Sequence, residues 1–204
     1  AQRKINELGI TNVEILQMDI LEVSLLKKEF DIIECCGVLH HMDSPRKGLR
    51  SLREILHKNG LMRLSLYSEL ARQDIIKARK YIKSLNIEPS EEKIRAFRKE
   101  VISGDHPNLI SLANSGSDFF TTSECRDLIF HYQEHRFTME EIEEELIAND
   151  LKFLGFLLNP KFKALYKNYY PNDETQTNLK NWALFEEQHP DTFSTTPPFW
   201  VRRS

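Results

Sequence analysis

Apolar positions along the chain alternate between short continuous runs and stripes spaced three and four residues apart. Asp31 to Cys36, bounded by charge before it and Gly37 after it, reads as a short strand covered by helices on both faces. Upstream, Asn12 to Leu21 predicts another strand ending in Asp19, after a helix that runs out at Leu8-Gly9. Downstream, Leu49, Leu52, Ile55 and Leu56 make a helical stripe, with Asp43 or Ser44 as cap and Pro45 in the first turn. Asn59-Gly60 stops that helix, and Leu61 to Tyr67 predicts a third strand. Helix, strand, helix, strand in this order implies parallel pairing with helices on the faces.

The middle of the chain is helical in pattern. Ile75, Ala78, Ile82 and Leu85 form one stripe, Pro89-Ser90 breaks it, and Ile94, Phe97 and Val101 form a second. Thr121 and Glu124 have capping-box spacing, so a helix starts there and carries Asp127, His131 and His135 on one face. Thr138 and Glu141 repeat that spacing ahead of Met139, Ile142, Leu146 and Ile147. Lys152 to Leu158 then reads as a strand, Phe162 to Tyr170 as a packed aromatic segment, and Asn178 to Glu187 as a helix with Trp182 and Phe185 inward. Pro198 to Arg202 predicts a final antiparallel strand completing the sheet edge, with Pro197 and Pro198 at its entrance.

In open α/β sheets the ligand crevice lies beyond the carboxyl ends of the strands, which puts Cys36, Gly37, Val38, Leu39, His40 and His41 where chemistry occurs. Gly37 lets backbone approach a ligand closely. The alternative for the same segment is an ordinary strand-to-helix connection with surface histidines. Asp19 after a strand, then Phe30-Asp31, Val38-Leu39-His40-His41, a helix and Asn59-Gly60-Leu61-Met62 form an ordered set. That set resembles the class I S-adenosylmethionine-dependent methyltransferases.

The resemblance implies an α/β fold: a Rossmann-like methyltransferase sheet with strands 3, 4, 5, 6 and 7 present, strands 1 and 2 missing, and a helical insertion after strand 5. Residues 1–68 would then be the carboxyl-terminal part of the cofactor-binding core, 69–137 the substrate-side insertion, and 138–204 the closing helix and antiparallel strands. It implies S-adenosyl-L-methionine as cofactor, held by Asp19, Ile20, Cys36, Gly37 and Val38. His40, His41 and Tyr67 take the catalytic positions, and Glu69, Phe119, Phe120, Arg126, His131 and His135 the substrate side. Leu66-Tyr67-Ser68-Glu69, Asp118 to Asp127 and His131 to Thr138 further resemble a subgroup often attached to tetratricopeptide repeats. Some relatives of that architecture methylate protein lysines, so a small-molecule or protein substrate is expected. The family's glycine-rich loop and second-strand acid have no counterpart, and with 7 glycines in 204 residues there is no Gly-x-Gly. The expectation is therefore an amino-terminally truncated chain with an upstream domain belonging to the same longer protein.

Composition narrows the function classes. Hydrophobic residues are 40%, charged residues 29% and the formal net charge is −3. That balance argues against nucleic acid as an obligatory partner. No apolar run is long enough for a membrane span, and no signal peptide is expected. Cys35, Cys36 and Cys125 lack disulfide or zinc spacing, which fits a reduced, cytoplasmic compartment. The basic residues between Arg72 and Lys99 read as a solvated face. For Asp127, His131 and His135 three readings stay open: a metal site completed by His40 or His41, a polar pocket wall, or surface hydrogen bonding with Arg126 and Glu134. The alternatives to a methyltransferase are a non-catalytic interaction module on the same scaffold and a metal-dependent hydrolase or oxygenase.

Overall fold

In the computed structural model, residues 1–114 and 117–204 are described. Helix α1 (Gln2–Glu7) ends at Leu8, and Gly9 follows at φ +64°. Asn12 to Asp19 forms no strand, contrary to expectation. A strand exists only through its ladder, and no described segment pairs with this one, so Val13, Ile15, Leu16 and Met18 stay exposed. The Asp19 carboxylate instead accepts from the Leu21 amide at 2.9 Å and caps a 3-10 turn, Ile20–Leu26. Ile20 and Val23 of that turn pack on the main core.

Strand β1 (Phe30–Cys36) is covered on one face only. Ile33 and Cys35 enter the core, while Ile32 is 61% exposed on the other side. Helix α2 (Pro45–Ile55) starts as expected: the Ser44 hydroxyl accepts from the Lys47 amide at 3.4 Å, and Pro45 occupies the first turn. It stops at Ile55, earlier than Asn59-Gly60, because the chain turns directly into β2 (Leu56–Ser65). Asn59 and Gly60 are absorbed in the strand by a register irregularity, where Phe30 pairs with Leu56 but Ile32 pairs with Leu61.

Helices α3 (Gln73–Ser84), α4 (Glu91–Ser103) and α5 (Thr122–Phe130) come next. Ser90 caps α4 and Gly104, at φ +82°, ends it. These helices bury their own cluster, including Ile75, Ala78, Ile82, Ile94, Phe97, Val101, Leu112, Phe119, Cys125 and Ile129. Each such side chain withdrawn from water contributes about 1.5–3 kcal/mol for the larger ones. Leu85 lies outside this packing, 56% exposed at the end of α3.

Helix α6 (Met139–Ala148) carries both halves of its capping box: Thr138 Oγ1 accepts from the Glu141 amide at 3.2 Å, and Glu141 accepts from the Thr138 amide at 2.9 Å. Met139, Ile142 and Leu146 are buried, whereas Ile147 is exposed. Strand β3 (Leu151–Phe156), α7 (Pro160–Tyr169) and α8 (Leu179–Gln188) follow. Tyr166 stacks on Trp182 with ring centroids 3.7 Å apart, joining α7 to α8. Strand β4 (Phe199–Arg203) then enters the sheet.

The sheet order is β1-β2-β4-β3, with β1 and β2 parallel and β4 antiparallel to both neighbours. Thus β4 is interior rather than an edge. Its backbone pairs with β2 on one side and β3 on the other, Phe199 and Val201 are buried, and the Pro198 carbonyl accepts from Leu157 at 2.7 Å. Among the described residues, four strands form where the resemblance implies five. Among the described residues, no helix is long and apolar enough to cross a membrane.

Candidate active site

The site is built where β2 runs out. Beyond Ser65 the chain continues through Tyr67, and residues 131–137 run beside it as a strap. Phe137 donates to the Tyr67 carbonyl at 2.8 Å, Glu69 donates to the Phe137 carbonyl at 3.0 Å, and His135 donates to the His40 carbonyl at 2.7 Å. Ser68 and Phe137 form a parallel bridge.

Asp127, His131 and His135 do not share a helix face, because α5 ends at Phe130. Its last carbonyls are taken by arginines from α3 and the turn before it. Arg79 donates to Ile129 at 3.0 Å and His131 at 2.7 Å, and Arg72 donates to Leu128 at 3.2 Å. Side-chain donors replace the next helical turn, so the backbone leaves extended. His131 stays near Asp127, while His135 is carried away into a second cleft with Arg46, Arg136 and Glu145.

Arg72 also corrects the solvated reading of the basic stretch. It is buried and grips Glu134 through two bonds of 3.1 and 2.6 Å, and the Glu134 side chain is fully withdrawn from solvent. Arg136 reaches the same carboxylate at 3.4 Å and Glu69 at 2.8 Å. Glu69 therefore anchors the strap instead of facing the cleft. These alternating charges supply the paired contacts that a buried ion needs.

Over this network lies a stack of rings. The Tyr67 ring meets the His40 ring with centroids 3.7 Å apart, and the Arg72 guanidinium carbon sits 3.6 Å from the Tyr67 centroid. His41 and His131 stack at 3.7 Å, tilted by 31°. His40 is fully buried, and among the described residues no partner meets hydrogen-bond geometry at either ring nitrogen. Burial first, then His41 and Arg72, push its pKa down to about 3, so it stays neutral and is shut away from any substrate. Burial likewise raises the Tyr67 phenol and lowers His41.

His41 and His131 share one acceptor. The Gln133 carbonyl accepts from Nδ1 of His41 at 2.9 Å and from Nδ1 of His131 at 2.7 Å. A carbonyl only accepts, so this contact favours the tautomer with the proton on Nδ1 and the lone pair on Nε2, although at His131 the Gln133 amide also reaches Nδ1, at 3.3 Å. One ring nitrogen of each and a carboxylate oxygen of Asp127 lie within 4.8 Å of one another. Beside them opens a cleft of about 650 Å³ lined by Tyr67, Glu124, Arg126, Asp127, His131 and Tyr132, among others.

The remaining expected residues separate. Phe119 is fully buried in the insertion's own cluster, where Phe97 meets its ring edge-on, and so does not line the cleft. Phe120 is half exposed, packed on Phe119, and its carbonyl accepts from Arg98. At the mouth of β1, Cys36 and Val38 are exposed, and Gly37 has φ +77° with no atom of the described residues beyond its chain neighbours within 4 Å of where a Cβ would stand. The Gly37 amide donates to Ser65 Oγ at 3.1 Å. This open glycine backbone suits close approach of a ligand, whereas the Asp19 carboxylate already serves the turn it caps.

Sequence put Arg72 and Arg79 on a solvated face and Glu134 among surface partners, and it did not single out Gln133. A signal existed for the arginines: Arg72 and Arg79 continue the buried Ile75, Ala78, Ile82 stripe at helical spacing, where a charge needs a buried partner. Gln133 left none, since its main chain acts on the two rings.

Residues 1–64 match the family model described as Methyltransferase domain. An uncharacterized protein of Synechococcus sp., syc1184_c, is 28% identical over 164 residues, covering 76% of this chain and 39% of that protein. The structure of PKMT2 from Rickettsia typhi superposes with a TM-score of 0.70 at 18% identity, covering 100% of this chain and 41% of that one. PKMT2 in complex with AdoHcy gives 0.66 at 16% identity, covering 99% and 41%. The chain thus spans about two fifths of the length of these relatives. Residues 1–64 thus carry the pattern of a methyltransferase domain, and the chain as a whole shares the fold of PKMT2.

Proposed function

We propose that this chain carries the substrate half of a methyltransferase site that acts on a protein lysine. The observation that carries the reading is the cleft wall: acidic Glu124 and Asp127 stand with Tyr67, Tyr132 and His131 around one opening. Carboxylates and aromatic faces together receive an ammonium group, by charge and by cation–π attraction. The structural relative PKMT2, a protein lysine methyltransferase, supports the same substrate class.

S-adenosylmethionine, when bound, supplies a methyl group made electrophilic by the sulfonium. Cys36, Gly37 and Val38 fit its methionine half, because their backbone is open and unobstructed at the sheet's carboxyl end. Asp19 and Ile20 would stand toward the adenine. The rest of the chemistry belongs to positioning, since an amine needs only to be neutral and aligned. Asp127 and Glu124 draw in the ammonium. His131 or His41 takes its proton at Nε2, the nitrogen that the Gln133 carbonyl leaves with a lone pair. Tyr67, braced by His40 and Arg72, presents its ring to the alkyl stem.

Incubation of the protein with S-adenosylmethionine and lysine-bearing peptides, read by mass spectrometry, should show methyl increments on lysine and none on the acetylated peptide. Increments confined to a carboxylate or hydroxyl group would overturn the lysine reading. Calorimetric titration with S-adenosylhomocysteine, of this chain alone and of the chain extended upstream, tests the cofactor separately, and absence of binding in both would sink it.

A further inference from the structure

We infer that His41, His131 and Asp127 form a binding site for a divalent transition-metal ion of the zinc type. The three come from two places, the turn after β1 and the carboxyl end of α5, and one donor atom from each lies within 4.8 Å of the others. Zinc takes nitrogen and carboxylate ligands at roughly 2.0–2.2 Å, so a small side-chain adjustment closes the set. Asp127 is exposed and can make that adjustment.

The donor types favour this class of ion. Two imidazoles and a carboxylate suit zinc or ferrous iron, whereas calcium and magnesium take oxygen ligands throughout. The rings are also prepared for ligation. Metal-bound histidines regularly donate their other ring N–H to a carbonyl or carboxylate, which fixes tautomer and orientation. Here a single carbonyl, that of Gln133, does so for both rings at 2.9 and 2.7 Å. Stacking at 3.7 Å holds the two imidazoles side by side. Three protein ligands leave a fourth tetrahedral position, and because Asp127 and His131 line the cleft, that position opens to it. The site holds whether or not the lysine reading does. The two occupants are both cations and would exclude each other.

Protein stripped with a chelator and titrated with Zn²⁺ by calorimetry should bind one equivalent. Titration with Co²⁺ should produce the visible absorption of an imidazole-ligated ion. Asp127→Asn and His131→Gln are each expected to weaken Zn²⁺ binding about tenfold or more. His106→Gln, a histidine of the insertion that contacts Tyr81 and Glu100, should leave it unchanged. Absence of saturable micromolar binding, or binding equally tight in Asp127→Asn, overturns the site. Asp127→Asn changes an exposed side chain, so it decides the matter even if His131→Gln unfolds the strap.

Discussion

Glu134 carries the heaviest electrostatic demand of any residue in the site. Its carboxylate has no solvent and depends on Arg72 at 2.6 Å, with Arg136 further off at 3.4 Å. Arg72→Ala removes the nearer partner and leaves a buried charge, which should cost about 3–5 kcal/mol in urea unfolding. Adding Glu134→Gln should recover a substantial part of that loss, since the stranded charge is then gone. Glu186 is a second buried acid, bonded by Ser68 Oγ, and burial raises its pKa from 4.5 to about 7. Between those values the folded protein binds a proton that the unfolded chain has released, so this residue's contribution falls as pH rises from 4.5 to 7 and stays flat above. His40 acts in the opposite sense. Held near 3 against 6.5, it stays neutral while the unfolded chain protonates, so its contribution grows with pH from 3 to 6.5. The stability advantage of wild type over Glu186→Gln should therefore be larger at pH 5 than at pH 8, by on the order of 3 kcal/mol. Equal advantages at both pH values would contradict this sign.

The strap depends on how α5 ends. Arg79→Met withdraws donors from two carbonyls, at Ile129 and His131, each worth about 1–3 kcal/mol when left unsatisfied. Amide exchange at His135 and Phe137 should accelerate in that variant, because their bonds to His40 and Tyr67 hold the strap down. Thr138→Ala, which breaks the capping box of α6, should cost about 1 kcal/mol in thermal unfolding without that local exchange change. Helix starts were the most legible elements. Ser44, Ser90, Thr121, Asn178 and Thr138 all cap, because a cap is a local exchange between one side chain and an amide two or three residues on. Helix ends were less so. The end of α5 is set by arginines about fifty residues upstream, and periodicity alone kept His135 on a face it never joins. The histidines after β1 were found for the right physical reason, the crevice at the strand end, but their division of labour depends on burial. Only the structure separates His40, sealed against Tyr67, from the half-buried His41 that packs on His131.

Across the whole molecule, sequence located four of the five expected strands but not their pairing. Asn12 to Asp19 has an acceptable strand pattern and forms none, whereas β4 was expected at the rim and lies between β2 and β3. Pairing is non-local, so no run of apolar residues announces its neighbours. Val201 shows what the interior position means: it is fully buried and opposes Met62 on one side and Phe153 on the other. Val201→Asp should abolish the cooperative unfolding transition, while Ile32→Thr on the exposed face of β1 should leave it. The central slot also sets a timetable. A ribosome delivers β2 more than a hundred residues before β4, and β3 gains its partner only when Phe199 to Arg203 emerge. Throughout that interval the two halves of the sheet have no hydrogen-bonded connection, and nascent chains halted before β4 should be the form that chaperones hold and proteases cut.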